Sequence, residues 1–283
     1  MRFLNTLFLL VCAAFLTSQI ARAADCDPSR TQAKYPALKG RTLKIGVDPQ
    51  QPPYVMVDLK NPNNLVGIDV DFAKATFDCA GIKYEFVRGA WSGLLPALQG
   101  GQVDIMWDNL YYRPARAEVI NFVMYMRAAT GTLVPAANPK KLSKLEDLCG
   151  LTTTYPVSST NEAISVKQSE ACKAAGKAEI TGMPYTDISA GLRLVSSERA
   201  DALLMDLGVV DALVADNSDK YTRAFLTTVG LEIGVGVRKT DEELLNLILE
   251  TVQSLQATGV QKTILQKYKI EASLEIPAAI KTK

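Results

Sequence analysis

Histidine is absent from all 283 residues. Its absence excludes the commonest general base, the Ser-His and Cys-His nucleophile pairs, and any zinc site that needs an imidazole. An excess of either charge is also missing. With 31 Lys and Arg against 30 Asp and Glu, there is no electrostatic case for nucleic acid or for an anionic membrane surface. Nor is there a long apolar run: the stretch from Phe3 to Leu16 is interrupted by Asn5 and Thr6 and falls short of the roughly 20 residues a membrane span needs. No Cys-x-x-Cys spacing occurs among the five cysteines, which counts against a zinc site built from four thiolates.

What is present begins with an export signal. Arg2, the apolar run and "ARA" just before Ala24 are the basic, apolar and small-x-small regions of a secretory peptide. It is read as cleaved after residues 1–23, with an uncleaved anchor as the alternative, and it implies a periplasmic protein. Neither Cys12 nor Cys26 has the flanking residues of a lipidated cysteine. Cleavage removes Arg2 and Arg22 but no acid, so 31 basic residues become 29 against 30 acids and the mature charge is about −1. Cys26, Cys79, Cys149 and Cys172 remain, and an even number in an oxidising compartment reads as two disulfides. Of the possible connectivities, Cys149 with Cys172 and Cys26 with Cys79 is favoured, because each pair staples neighbouring segments. Closing a loop of about two dozen residues contributes roughly 3 kcal/mol.

The mature chain alternates between strand and helix. "LKIGV" ends in the turn-rich "DPQQPP". "GIDVDFAKATFDCAG" then places Ile68, Phe72, Ala75 and Cys79 at helical spacing, with Gly81 as a stop. "YEFV", the helix "SGLLPALQGGQ" and "VDIMW" complete a βαβαβ pattern, that of a parallel sheet covered by helices. A second series runs from "GLTTTYP" through a helix over 159–174, "AEITGM", "TDISAGLRLVSS" and "ADALLMD". "LEIGVGVRK" returns as a strand. The following helix carries Leu244, Leu245, Ile248, Val252 and Leu255 on one face. Two α/β units place a ligand crevice at the carboxyl ends of their strands. Asp108 and Asn109 directly follow "VDIMW", Arg116 lies about two helical turns further on, and Asp206 directly follows "ADALLM".

These segments resemble the bacterial extracellular solute-binding proteins of family 3, the amino-acid-type binding subunits of ABC importers. The resemblance rests on "LKIGVDPQQPPYVMVD", "NLVGIDVDFAKA", "WSGLLPALQGGQVDIM", "RPARAEVINF", "GLEIGVGVRK" and "GVQKTILQKY", in family order over nearly all of the mature chain. It implies an α/β, two-lobe periplasmic-binding-protein-like fold of type II, with the ligand cleft between lobes joined by two hinge strands. Lobe 1 is expected at 40–130 plus 233–275 and lobe 2 at 131–232, with crossing strands around 131–134 and 230–237.

By the same resemblance Arg116 holds a ligand carboxylate, a role that suits the planar fork of a guanidinium. Asp206 receives the ammonium, and Ser158, Ser159 and Thr160 add hydroxyls at the positive end of a helix. Trp91 lines the pocket. The implied partners are a small polar solute and a membrane permease, with no cofactor, no nucleic acid and a monomeric state. The chain departs from the pattern at Gln51, where an aromatic ring is usual and Tyr54 is the nearer ring. It departs again at Asp108, Asn109 and Tyr111, where small hydroxyls are usual, and at Arg113, where threonine is frequent. Asp108, and Asp48 beside it in the reading, favour a cationic group on the ligand, with Trp91 and Tyr111 offering π-faces.

Structural alternatives stand beside these roles. Arg116 pairs with Glu118 or the helix surface, Asp206 caps the next helix, and Asp108 bridges to Arg113. Asp69 and Asp71 read as capping and dipole partners of their helix, and Trp107 as core. A cleft enzyme of the cyclohexadienyl or arogenate dehydratase kind, with Asp108 as its acid, and a sensory binding subunit are the rival functions.

Overall fold

The computed structural model describes residues 26–227, 230–270 and 272–282; the export signal, with Cys12, lies outside the described residues. A short helix α1 (Pro28–Lys34) precedes β1 (Thr42–Val47), β2 (Gln50–Gln51), β3 (Val55–Asp58) and β4 (Asn61–Val66). Next come α2 (Ile68–Ala80), β5 (Lys83–Arg88), α3 (Trp91–Gln99), β6 (Ile105–Tyr111), α4 (Pro114–Ala117) and β7 (Ile120–Arg127). The middle of the chain forms β8 (Thr130–Pro135), β9 (Thr152–Pro156), α5 (Thr160–Ala174), β10 (Thr181–Tyr185), α6 (Ile188–Ser196), β11 (Ala202–Asp206), α7 (Leu207–Asp216) and β12 (Tyr221–Thr227). The chain then returns with β13 (Glu232–Arg238), α8 (Glu242–Ala257), α9 (Val260–Lys267) and β14 (Glu275–Lys281).

Two sheets result, with strand orders β14-β7-β13-β6-β1-β5 and β10-β9-β11-β8-β12, and a small three-stranded sheet β2-β3-β4 beside them. Only the βαβ part of each large sheet is parallel, β5-β1-β6 in one and β10-β9-β11 in the other. β13, β7 and β14 of one, and β8 and β12 of the other, run antiparallel to their neighbours. The parallel pairing expected of the first βαβαβ unit is present in β5-β1-β6, and the strands outside the two βαβ units pair antiparallel.

The chain passes between the sheets at Ala128–Ala129 and between Thr227 and Glu232. The glycine-containing segments read as crossing strands lie mostly inside the sheets. Gly131 to Leu133 pair with both β11 and β12, and Gly234, Gly236 and Val237 with both β6 and β7.

α2 forms because Ile68, Phe72, Ala73, Thr76, Phe77 and Ala80 recur on one buried face, and it stops at Gly81, whose left-handed backbone (φ +66°) lets its N–H close on the Phe77 and Asp78 carbonyls. That face meets the large sheet through Phe72, edge-on to Trp107 at 5.5 Å and to Tyr125 at 5.3 Å. The expected apolar face of α8 is buried in full. Both favoured disulfides are formed, Cys26–Cys79 and Cys149–Cys172. The second ties the end of α5 to the segment before β9.

Candidate functional site

The carboxyl ends of β1, β6, β9 and β11 converge on one cleft between the large sheets. β6 runs further than the sequence indicated, through Tyr111, and every residue in it is buried. Its pairing with β13 slips between Gly234 and Gly236, so that the residues around Asp108 and Asn109 bulge out of register. Asn109 takes a positive φ of 50° there, and its N–H is held by the carboxylate of Asp69 in the first turn of α2. A bulge of this kind re-aims side chains, and it decides which members of the stretch reach the cleft.

Asn109 and Tyr111 do reach it. Asp108 does not: it is 0% exposed, lines neither cleft cavity, and no side chain among the described residues bonds its carboxylate. Burial first, then the nearby Asp48 carboxylate, pushes its pKa well above the usual carboxylate range. It makes no salt bridge to Arg113, whose guanidinium instead donates to the Ser159 carbonyl at 3.0 Å.

Arg116 sits in the single turn of α4, which Pro114 starts. Its Nη1 donates to the Tyr111 carbonyl at 2.9 Å and its Nη2 to the Ser158 carbonyl at 3.0 Å, across the cleft. The Trp91 ring lies 5.3 Å from the guanidinium carbon. Burial, with a smaller push from Arg113, draws the pKa of Arg116 down to about 9. Among the described residues no carboxylate forms an ion pair with this nearly buried cation. Ser158 adopts a positive φ of 60° at the turn between β9 and α5. Ser159 caps the helix by accepting from the Glu162 N–H at 3.0 Å. Thr160 follows with its hydroxyl unpartnered.

Asp206 ends β11 and caps α7: its Oδ1 accepts from the Gly208 N–H at 2.8 Å and the Val209 N–H at 3.4 Å. Its Oδ2 accepts the phenol of Tyr111, from the other lobe. Burial pushes its carboxyl up, partly offset by Tyr111, Asn109 and the helix N–H groups. Asp48 similarly caps α3, accepting from the N–H groups of Trp91 at 2.9 Å and Gln50 at 3.1 Å, and burial raises its pKa.

Two adjoining small cavities occupy the cleft. The first is walled by Asn109, Tyr111, Arg116, Thr160, Asn161 and Asp206, with Ser159 at its edge. The second is walled by Asp48, Gln50, Tyr185, Thr186 and Ile188. Gln51, Trp91, Pro156 and Met205 border both. Ser158 meets the cleft through its carbonyl, and Tyr54 lies behind it, its ring against Gly208.

A family model, that of the bacterial extracellular solute-binding proteins, family 3, matches residues 43–271. The chain belongs to that family. This solute-binding protein is 24% identical over 263 residues to a probable histidine-binding protein of Neisseria gonorrhoeae, covering 91% of this chain and 94% of the relative. Among solved structures it is similar to an ancestral arginine-binding protein bound to arginine, with 28% identity, a TM-score of 0.74, and coverage of 82% of this chain and 99% of the other. It is also similar to an ancestral amino-acid-binding protein described as a precursor of cyclohexadienyl dehydratase, with 28% identity, a TM-score of 0.69, and coverage of 83% and 99%.

Several wall residues of this solute-binding protein escaped the sequence reading. Asn161 follows Thr160 into the first turn of α5 and accepts from the Thr130 hydroxyl at 2.9 Å; the "VSSTNE" segment contained it, and extending the helix start by one position would have found it. Pro156, Met205 and Tyr185 carried no signal, because the pleat that turns them inward is fixed only by strand register.

Proposed function

We propose that this protein is a periplasmic receptor that closes its two lobes on a small amino-acid-like solute and presents it to the membrane permease of an ABC importer. The closing units are those expected from the sequence, residues 40–130 plus 233–275 against 131–232. One observation carries the reading: among the described residues Arg116 is buried without an acidic partner, spends a donor on a carbonyl of the facing lobe, and lines one cavity with the unpartnered hydroxyl of Thr160 at a helix start. A ligand carboxylate satisfies all three groups at once.

Asp48, in the second cavity with the rings of Trp91 and Tyr185, suits a cation at the far end of the ligand. The histidine- and arginine-binding relatives fit that preference. Binding is favoured over dehydration because Asp108, the acid nominated for an enzyme, is sealed away from both cavities.

A thermal-shift screen over basic, neutral and acidic amino acids and small ω-amino acids tests this. A basic solute at 100 times its dissociation constant adds about 2.7 kcal/mol of stability. Arg116→Ala then loses roughly 2 to 5 kcal/mol of binding by calorimetry, as when one partner of a buried charge pair is removed. Unchanged affinity in that variant contradicts the carboxylate role.

A further inference from the structure

The Tyr111 phenol reaches across the cleft to the Asp206 carboxylate. That carboxylate is the group from which an α-ammonium would take its counter-charge. Its Oδ1 already receives two N–H groups of α7 and its Oδ2 the phenol, and the residue is 2% exposed. A carboxylate offers about four lone-pair positions, so little of Asp206 is left for a ligand. The ring of Tyr111 also occupies the wall of the first cavity that would otherwise lie open beside Asp206.

The rest of that cavity is suited to a carboxylate: Arg116, the Thr160 hydroxyl without a partner, and the start of α5. The remaining orphan there, Asn109 Oδ1, is a neutral acceptor, which suits a water or a hydroxyl better than a desolvated ammonium. Asp48 accepts one backbone N–H on each oxygen, with the Gln50 side chain as a further partner, and unlike Asp206 it takes no phenol from the opposite lobe and lines the second cavity. Asp187 adds negative potential at Asp48, and the Trp91 and Tyr185 rings share its cavity. The cationic end of a ligand therefore finds its counter-charge in the second cavity, across the shared border at Gln51 and Met205.

We propose that this site selects ω-amino or ω-guanidino carboxylates that carry no α-ammonium, Tyr111 giving Asp206 the donor that an α-ammonium would otherwise bring. The inference rests on the solute-binding reading above and deepens it to a substrate class. Its substance is a single contrast: the carboxylate and the distant cation are both recognised, and the substituent between them is not.

Matched pairs test it by calorimetry on the mature protein: L-arginine against δ-guanidinovalerate, and L-lysine against ε-aminocaproate. The des-amino member of each pair is expected to bind at least as tightly as its amino acid, and about tenfold more tightly in the better pair. Tyr111→Ser opens the wall and frees Asp206, so the preference reverses toward the α-amino acid. Tyr111→Phe keeps the ring and removes the donor, so the α-amino acid gains while the des-amino affinity holds within about threefold.

L-arginine or L-lysine binding the unmodified protein more than about tenfold tighter than its des-amino analogue overturns the inference and leaves the solute-binding reading standing. Binding of a neutral amino acid alone also overturns it. No binding of any member of the screen removes both.

Discussion

Among the described residues four aspartates, Asp48, Asp69, Asp108 and Asp206, are buried around the cleft, against one comparably buried cation, Arg116. The imbalance has different consequences at each residue. Asp48 and Asp206 convert their charge into helix caps and face the cavities. Asp69 accepts from the Tyr125 phenol at 2.7 Å and from the Asn109 N–H, and burial still pushes its pKa up to about 7. Its role is to hold the bulge, a more specific task than the capping its sequence position suggested. Asp71 is the structural partner it resembled, bonded to the Tyr268 phenol at 2.9 Å and paired with Lys267.

Asp108 has no side chain to offset its burial, only the Asp48 backbone N–H, and it sets a prediction. In the folded protein it keeps its proton well above the ordinary carboxylate value, whereas the unfolded chain releases it near pH 4. Between those limits the folded state binds more protons, so raising the pH costs stability. Asp108→Asn removes that cost. The variant is expected to match the parent near pH 4 and to exceed it by about 1 to 3 kcal/mol at pH 7. Urea unfolding at the two pH values reads the difference, and a variant less stable at pH 7 than at pH 4 relative to the parent contradicts it.

At the scale of elements, the site depends on two irregular pieces of backbone, the bulge in β6 and the β9–α5 turn. The turn works through main-chain carbonyls: those of Ser158 and Ser159 receive Arg116 and Arg113. The Ser158 side chain borders neither cleft cavity, and its φ is positive. Ser158→Gly is therefore expected to retain ligand affinity within about twofold and stability within about 1 kcal/mol, relief of the left-handed backbone offsetting the added freedom of the unfolded chain. Calorimetry and a thermal melt check both. A tenfold loss of affinity assigns the hydroxyl a ligand contact after all.

What the sequence revealed at this scale followed its periodicity. α2 and α8 were legible because a 3.6-residue apolar repeat and a glycine or acidic boundary specify them locally. β1, β9 and β11 were legible as apolar runs with turn punctuation. The end of β6 was not, since Asp108 and Asn109 look like loop residues and are drawn into the strand by pairing with β13, more than a hundred positions away in the chain. β2 to β4, β12 and β14 were missed for the same reason: their hydrogen-bond partners, not their own residues, make them strands. At the site, Arg116 and Asp206 line the same cavity. The inward or outward direction of Asp108, Tyr54 and Met205 depended on a register that no local pattern encodes.

The molecule as a whole joins two sheets by two short links and closes them with few direct bonds. Arg116 and Arg113 reach the β9–α5 turn, Tyr111 reaches Asp206, and Gln50 Oε1 accepts from the Ile188 N–H at 3.2 Å. A solute that adds contacts to both lobes shifts the open and closed populations by its differential affinity for the two states. The central claim is that Arg116 is the point where a ligand carboxylate bridges the lobes. A crystal structure with the tightest-binding solute of the screen tests it most directly. The account predicts a ligand carboxylate within hydrogen-bonding distance of the Arg116 guanidinium and the Thr160 hydroxyl, inside the cavity walled by Asn109 and Tyr111. A bound solute elsewhere, with Arg116 meeting only the carbonyls of Tyr111 and Ser158, contradicts it.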